Sequence, residues 1–165
     1  MSRFAAAPLA NLSAVGLKVA IACSRWNDNV TSRLLQGAEQ AFVALGASDI
    51  KVVRVPGAFE LPAAVRALFE NGYDAVAALG AVVRGDTPHF DYVCSTAANG
   101  LSALSVSHRA GLGFGLVTTH TLEQALERAG GKFGNYGESA AQAAVEMALL
   151  QRELPNRDLL TRSHS

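Results

Sequence analysis

The stretch DAVAALGAVVRGDTPHFDYV, residues 74–93, contains the transition that decides the fold. Residues 74–83 form an apolar run, which is typical of a strand buried on both faces of a parallel sheet. A polar turn follows, and then Thr87 and Pro88 predict the start of a helix, with Thr87 as the N-cap and Pro88 in the first helical position. A buried strand that leads directly into a helix is half of a βαβ unit and predicts an α/β fold.

The same alternation extends along the chain. Apolar and β-branched runs predict strands at residues 17–23, 50–55, 74–83 and 112–119. Helical periodicity predicts helices at residues 28–46, 60–72, 90–111, 121–131 and 137–154. We therefore expect one domain over residues 1–165, a three-layer sandwich whose four parallel strands, in the flavodoxin-like order 2-1-3-4, have helices on both faces. Residues 155–165 are expected to form a disordered tail.

Composition excludes several functional classes. The 14 Lys and Arg residues balance the 14 Asp and Glu residues, and no basic run occurs, which argues against a nucleic-acid partner. No apolar run approaches the roughly 20 residues of a membrane span, and the N-terminus is too polar for a secretory signal. The two cysteines have no metal or redox spacing, so we expect a reduced cytoplasmic protein. Only 17% of the residues are charged, which favours self-association.

The turn after the third predicted strand is a candidate binding site. In parallel α/β sheets, ligands bind at the carboxyl ends of the strands, where helix N-termini offer free N–H groups to anions. His89 in the first helical turn adds a side chain suited to proton transfer near neutral pH. Plain helix capping and a polar surface histidine are alternative interpretations of the same residues. The tripeptide Arg84-Gly85-Asp86 is too short to indicate cell adhesion.

Two other strand ends are unusual. The single tryptophan, Trp26, follows the first predicted strand among polar residues, where it would either fill the core or offer a stacking surface to a planar ring. The turn VPGAFE, residues 55–60, places Glu60 where its carboxylate would either bind hydroxyl groups or begin the next helix. Motifs of dinucleotide oxidoreductases, P-loop hydrolases, esterases and metalloproteases are missing from the sequence.

Together these segments resemble the 6,7-dimethyl-8-ribityllumazine synthase family. The matching segments, in family order, are SRWN (24–27), VRVPGAFELP (53–62), ALGAVVRGDTPHFDYV (78–93), FGLVTT (114–119), TLEQALERAGGKFGNYG (121–137) and AAVEMA (143–148). The resemblance implies condensation of 5-amino-6-(D-ribitylamino)uracil with 3,4-dihydroxy-2-butanone 4-phosphate. The products would be 6,7-dimethyl-8-ribityllumazine, phosphate and water, in the penultimate step of riboflavin biosynthesis. No metal or other cofactor is implied.

The resemblance also implies roles for individual residues. His89 is the expected general acid and base. The expected contacts of the ribitylaminouracil are Trp26, Ala58, Phe59, Glu60, Ala81, Val82, Val83 and Phe114. The expected contacts of the butanone phosphate are Asp86, Thr87 and Arg128, with Lys132 as a candidate accessory because Tyr136 replaces a common lysine. Phe114 and Arg128 would come from a neighbouring subunit.

Assembly is implied as well. Family resemblance predicts a homopentamer and a 60-subunit icosahedral shell, with riboflavin synthase as a candidate partner and residues 1–15 packed on a neighbouring subunit. Two other functions fit the same sequence. One is a flavin- or lumazine-binding module without turnover, and the other is a purely structural shell protein. Retention of both His89 and Arg128 argues against the binding module, because flavin binding needs neither a proton shuttle nor a phosphate-binding arginine.

Overall fold

Four parallel strands form the central sheet of the computed structural model, which describes residues 6–7 and 9–154. They are β1 (Val19–Ser24), β2 (Ile50–Val55), β3 (Ala75–Val83) and β4 (Gly111–Thr119). Their spatial order is β2-β1-β3-β4, so the predicted fold class and strand order are confirmed. The tail predicted at residues 155–165 lies outside the described residues.

Helices cover both faces of the sheet. They are α1 (Asp28–Ala44), α2 (Leu61–Glu70), α3 (His89–Ser107), α4 (Leu122–Glu127) and α5 (Tyr136–Glu153). One face packs against α1 and α5, and the other packs against α2 and α3, which gives two separate apolar clusters. Among the described residues, no helix is both long enough and apolar enough to cross a membrane.

Three predicted helices differ from the observed ones for local reasons. The helix predicted at residues 90–111 ends at Ser107, because His108 already has an extended backbone and Gly111 begins β4. The helix predicted at residues 60–72 is preceded by a 3-10 turn, Ala58–Glu60, because Pro56 and Gly57 bend the chain after β2. The helix predicted at residues 121–131 ends at Glu127. Beyond it the chain forms a short antiparallel hairpin, β5 (Ala129–Gly131) and β6 (Gly134–Asn135). Gly130 and Gly134 have φ angles of 97° and 80°, a left-handed conformation that ends a helix and favours glycine.

Strand β4 lies unusually close to α5. A Cβ atom added at Gly111 would lie 1.9 Å from the carbonyl oxygen of Ala144, and one added at Gly113 would lie 1.8 Å from that of Ala140. Both distances are far inside van der Waals contact. Glycine is therefore required at both positions, and the helix packs with its backbone against the backbone of the strand.

The chain before β1 packs partly on its own domain. Ala14 is fully buried, and its N–H group donates a hydrogen bond of 2.7 Å to the carbonyl oxygen of Leu45. Leu12 packs against the same core cluster. Residues 1–5 and Pro8 lie outside the described residues, and contact of the segment 1–15 with a neighbouring subunit stays a prediction.

Candidate active site

A cavity of about 500 Å³ opens at the carboxyl ends of β1 and β3. Eight of the residues selected from the sequence line it, namely Trp26, Ala58, Phe59, Glu60, Ala81, Val82, Val83 and His89. They come from three segments that are distant in the sequence. The parallel topology brings these segments together, because the carboxyl ends of neighbouring strands meet at one edge of the sheet.

Trp26 forms one wall of the cavity. Its side chain is 72% exposed, so the core-filling interpretation is wrong. The backbone beneath it is fixed, because the N–H groups of Arg25 and Trp26 donate to the carbonyl oxygens of Val55 and Pro56 at 2.8 and 3.1 Å. A Cβ atom added at Gly57 would lie only 3.1 Å from Cδ1 of the indole, so a side chain at residue 57 would crowd the ring in its present position. An exposed aromatic ring on a fixed loop can stack on a planar ligand.

Asn27 also lines the cavity and was not selected from the sequence. Its backbone is left-handed, with a φ angle of 57°, and its Nδ2 atom donates a hydrogen bond of 2.9 Å to the carbonyl oxygen of Ala81. Asparagine tolerates a left-handed backbone better than most residues, and this preference was the one feature of the sequence that could have pointed to Asn27. Gly57 and Val93 are further lining residues that the sequence analysis missed.

Glu60 has a structural contact in addition to its place in the cavity. Its Oε2 atom accepts a hydrogen bond of 2.9 Å from the N–H group of Gly57, which closes the 3-10 turn. Within the described residues, Oε1 of Glu60 accepts no hydrogen bond. One carboxylate can therefore stabilise the turn with one oxygen and accept a ligand hydroxyl with the other.

The loop between β3 and α3 leaves several N–H groups free. Helix α3 begins at His89 with Pro88 as its N-cap, and no side chain caps it. The predicted N-cap role of Thr87 is wrong, because Thr87 lies one residue before the N-cap. Within residues 6–7 and 9–154, the N–H groups of Gly85, Asp86 and Thr87 donate to no acceptor. Free N–H groups before an uncapped helix form a local site for an anion.

His89 connects this loop to the cavity. It is the first residue of α3, its side chain is exposed, and it lines the cavity that Trp26 also lines. Asp86 and Thr87 are exposed in the adjoining loop and do not line the cavity themselves. The arrangement can hold a planar ring, an anionic group and a proton-transfer group within one site.

Comparison with known proteins agrees with this geometry. The family model described as 6,7-dimethyl-8-ribityllumazine synthase matches residues 16–152. The chain belongs to the 6,7-dimethyl-8-ribityllumazine synthase family. A lumazine synthase of Desulfosudis oleivorans is 52% identical over 144 residues, which cover 86% of this chain and 92% of that protein. A lumazine synthase of Bdellovibrio bacteriovorus is 46% identical over 139 residues, which cover 84% of this chain and 78% of that protein.

Besides Asp86 and Thr87, three more residues that resemblance to the lumazine synthases selected lie outside the cavity lining. Phe114 is on β4, with 53% of its surface exposed. Arg128 follows α4, where its Nη1 atom donates to the carbonyl oxygen of Gln124 at 2.8 Å and its guanidinium carbon lies 4.7 Å from the centroid of the Phe133 ring. The ammonium group of Lys132 lies 5.4 Å from the same ring centroid. The two cations thus share one aromatic contact outside the cavity.

Proposed function

We propose that this chain is a transferase that condenses 5-amino-6-(D-ribitylamino)uracil with 3,4-dihydroxy-2-butanone 4-phosphate. The products are 6,7-dimethyl-8-ribityllumazine, phosphate and water. Membership of the lumazine synthase family and the names of its two relatives support this function. The observation that carries the proposal is the single cavity lined by both the exposed indole of Trp26 and the side chain of His89, next to a loop of free N–H groups.

The ribitylaminouracil occupies the cavity. Trp26 stacks on its pyrimidine ring, which at an aromatic site contributes about 1–3 kcal/mol. Backbone groups of residues 81–83 contact the pyrimidine edge at the end of β3. The turn Ala58–Glu60 holds the ribityl chain, where Oε1 of Glu60 accepts a hydroxyl hydrogen bond.

The phosphorylated reactant binds to the loop between β3 and α3. The N–H groups of Asp86 and Thr87 donate to the phosphate, while the carboxylate of Asp86 faces solvent. A neighbouring subunit supplies Arg128, whose planar guanidinium forms charge-assisted hydrogen bonds with phosphate oxygens. Lys132 is an accessory cation at the same place, because Tyr136 replaces the lysine that is common in the family.

His89 transfers the protons of the condensation. An amine of the pyrimidine forms a Schiff base with the ketone of the sugar phosphate, and this step requires proton transfer and two reactants in contact. A positioned imidazole accelerates such steps by about 10²–10⁴-fold. The remaining acceleration comes from holding both reactants in one cavity.

The active protein is a cytoplasmic homopentamer. We further propose that the pentamers assemble into a 60-subunit shell and that the assembly associates with riboflavin synthase. A shared site explains why Phe114 and Arg128 do not line the cavity of their own chain. Exposed apolar side chains on the helices, such as Tyr92 and Val106 on α3, support contact between subunits. Measurement of the mass in solution distinguishes a monomer, a pentamer and a shell.

The experiment that tests the function mixes the purified protein with both substrates and follows lumazine absorbance. Controls omit the protein or one of the two substrates. We expect product only in the complete mixture. A binding module would instead show quenching of Trp26 fluorescence by lumazine or riboflavin without product, and a purely structural shell protein would show neither signal.

A further inference from the structure

We infer that Arg84 is a positioning residue for the phosphate-binding loop, and that it acts by neutralising the carboxylate of Asp91. This inference rests on the proposed function, because it assigns a role within the site where the phosphorylated substrate binds. Arg84 belongs to the Arg-Gly-Asp tripeptide of the sequence, and neither family resemblance nor helix capping gives it a role.

Three contacts hold Arg84 in place. Its Nη2 atom lies 2.8 Å from Oδ1 of Asp91, and its guanidinium carbon lies 4.5 Å from the centroid of the Phe90 ring. Its N–H group donates to the carbonyl oxygen of Thr119 at 2.9 Å, which joins the residue to the end of β4. Arg84 therefore connects the end of the sheet with the first turn of α3, on the two sides of the loop 85–88.

The N-cap explains why Asp91 is available to Arg84. Asp91 is the third residue of α3, and an acidic side chain at this position commonly accepts a hydrogen bond from the N–H group of the N-cap residue. The N-cap is Pro88, which has no N–H group. Within the described residues, Asp91 makes its ion pair with Arg84 alone.

The charge of Asp91 matters for anion binding. A carboxylate in the first helical turn interacts with the positive end of the helix, which is the same end that the free N–H groups present to phosphate. Without a counter-charge, Asp91 would repel that phosphate. In the ion pair, the positive charge of Arg84 cancels the negative charge of Asp91. The loop can then bind an anion without repulsion from Asp91.

The test is a double-mutant cycle with inorganic phosphate as the probe. We expect Arg84→Gln to weaken phosphate binding about two- to fivefold, since it leaves Asp91 uncompensated. Asp91→Asn should bind phosphate at least as tightly as the wild type. The double variant should return to within about twofold of the wild type, because it carries neither charge. Arg84→Lys should retain most of the binding, since it keeps the charge.

Two measurements separate charge from structure. The deficit of Arg84→Gln should shrink as ionic strength rises, and the Michaelis constant for the pyrimidine substrate should not change. Arg66→Gln is the matched control, since it breaks a surface ion pair on α2 (Arg66 and Glu70, 3.7 Å) away from the loop. Thermal unfolding of each variant checks that it is folded.

The inference is overturned if the double variant binds phosphate as weakly as Arg84→Gln, or if Arg84→Gln binds it as tightly as the wild type. Either result would leave the proposed function untouched, because a failure of that function would be seen in the wild-type protein. If the wild-type protein forms no lumazine from the two substrates, the function itself is wrong. If the wild type is active and Arg84→Gln has the same Michaelis constant for the phosphorylated substrate, only the role of Arg84 is wrong.

Discussion

The side-chain amide of Asn27 donates a hydrogen bond of 2.9 Å to the carbonyl oxygen of Ala81. This bond joins the loop that carries the exposed Trp26 to the end of β3. Both segments line the same cavity, so the bond fixes the distance between the proposed stacking ring and the backbone proposed to contact the pyrimidine edge.

Substitutions of Asn27 test this relationship. Asn27→Ala should lower the free energy of unfolding by about 1–2 kcal/mol, because alanine is disfavoured at a φ angle of 57°. Glycine at residue 27 adopts that backbone conformation without strain, but the Asn27→Gly variant also lacks the side-chain amide. We therefore expect near-normal stability in the glycine variant, and a raised Michaelis constant for the pyrimidine substrate in both variants. A normal Michaelis constant in Asn27→Gly would show that the bond does not shape the site.

His89 should determine the rate of turnover. We expect His89→Ala to lower kcat by about 10²–10⁴-fold through the loss of proton transfer. Binding of lumazine, followed by Trp26 fluorescence, should change much less, since His89 is one of many residues in the cavity lining. His89→Gln is the matched control, because it retains polar hydrogen-bonding atoms without an imidazole. Unchanged turnover in His89→Ala would remove this residue from the mechanism.

Arg128 should act on the phosphorylated substrate. Loss of a charge-assisted hydrogen bond costs about 1.5–3 kcal/mol, so we expect Arg128→Ala to raise the Michaelis constant for that substrate by tenfold or more. Arg128→Lys should recover only part of the affinity, since lysine lacks the planar fork. Steady-state kinetics with each substrate varied in turn provide the measurement.

A shared site makes a further prediction about Arg128. Co-expression of His89→Ala chains with Arg128→Ala chains should restore part of the activity, because some sites would then combine a normal His89 with a normal Arg128 from the neighbour. No recovery in such mixed oligomers, or an Arg128→Ala defect confined to the pyrimidine substrate, would contradict the assignment.

Gly113 should be intolerant of any side chain. A Cβ atom there would lie 1.8 Å from the carbonyl oxygen of Ala140, so we expect Gly113→Ala to lower the free energy of unfolding by about 3 kcal/mol or more. Gly85→Ala is the control for stability, since a Cβ atom at Gly85 meets no described atom within 4 Å. Denaturant unfolding measures both variants, and equal midpoints would show that α5 shifts away at little cost.

Cys23 should make stability depend on pH above neutrality. Burial raises the pKa of its thiol to about 11, from 9.0 in an exposed chain. The unfolded chain therefore loses this proton first as the pH rises from 9 to 11, and stability falls over that interval by up to about 1.4 kcal/mol per pH unit. Cys23→Ala removes this contribution, so its unfolding free energy should fall less over the same interval. Parallel pH profiles for the two proteins would contradict the prediction.

Local sequence patterns were sufficient for the sheet and for the place of the cavity, with Trp26, Glu60 and His89 in its lining. Each strand lies within two residues of its prediction, because short apolar runs bounded by polar residues, glycine or proline define buried strands. The cavity followed from the topology, since parallel strands direct their carboxyl ends to one edge. Family resemblance alone selected the remaining residues, since no periodicity distinguishes them from others: Ala58, Phe59, Ala81, Val82, Val83, Phe114 and Arg128.

The features that were missed depend on contacts between distant residues or on individual dihedral angles. The hydrogen bond from Asn27 to Ala81 spans 54 positions in the sequence, and the left-handed backbone at Asn27 has only a weak signal. The hairpin after α4 depends on positive φ angles at Gly130 and Gly134. The N-cap of α3 was predicted one residue too early, at Thr87, because proline favours the first helical position and Pro88 was therefore assigned to it.

The contact of β4 with α5 has a dynamic consequence. Because main chain meets main chain at Gly111 and Gly113, no side-chain rotation can absorb a displacement of the helix. We therefore expect β4 and α5 to move as one unit, and to come apart only when the protein unfolds. Amide hydrogens of β4 should therefore exchange with solvent deuterium mainly through global unfolding, while the exposed, unbonded amides of residues 85–87 should exchange much faster.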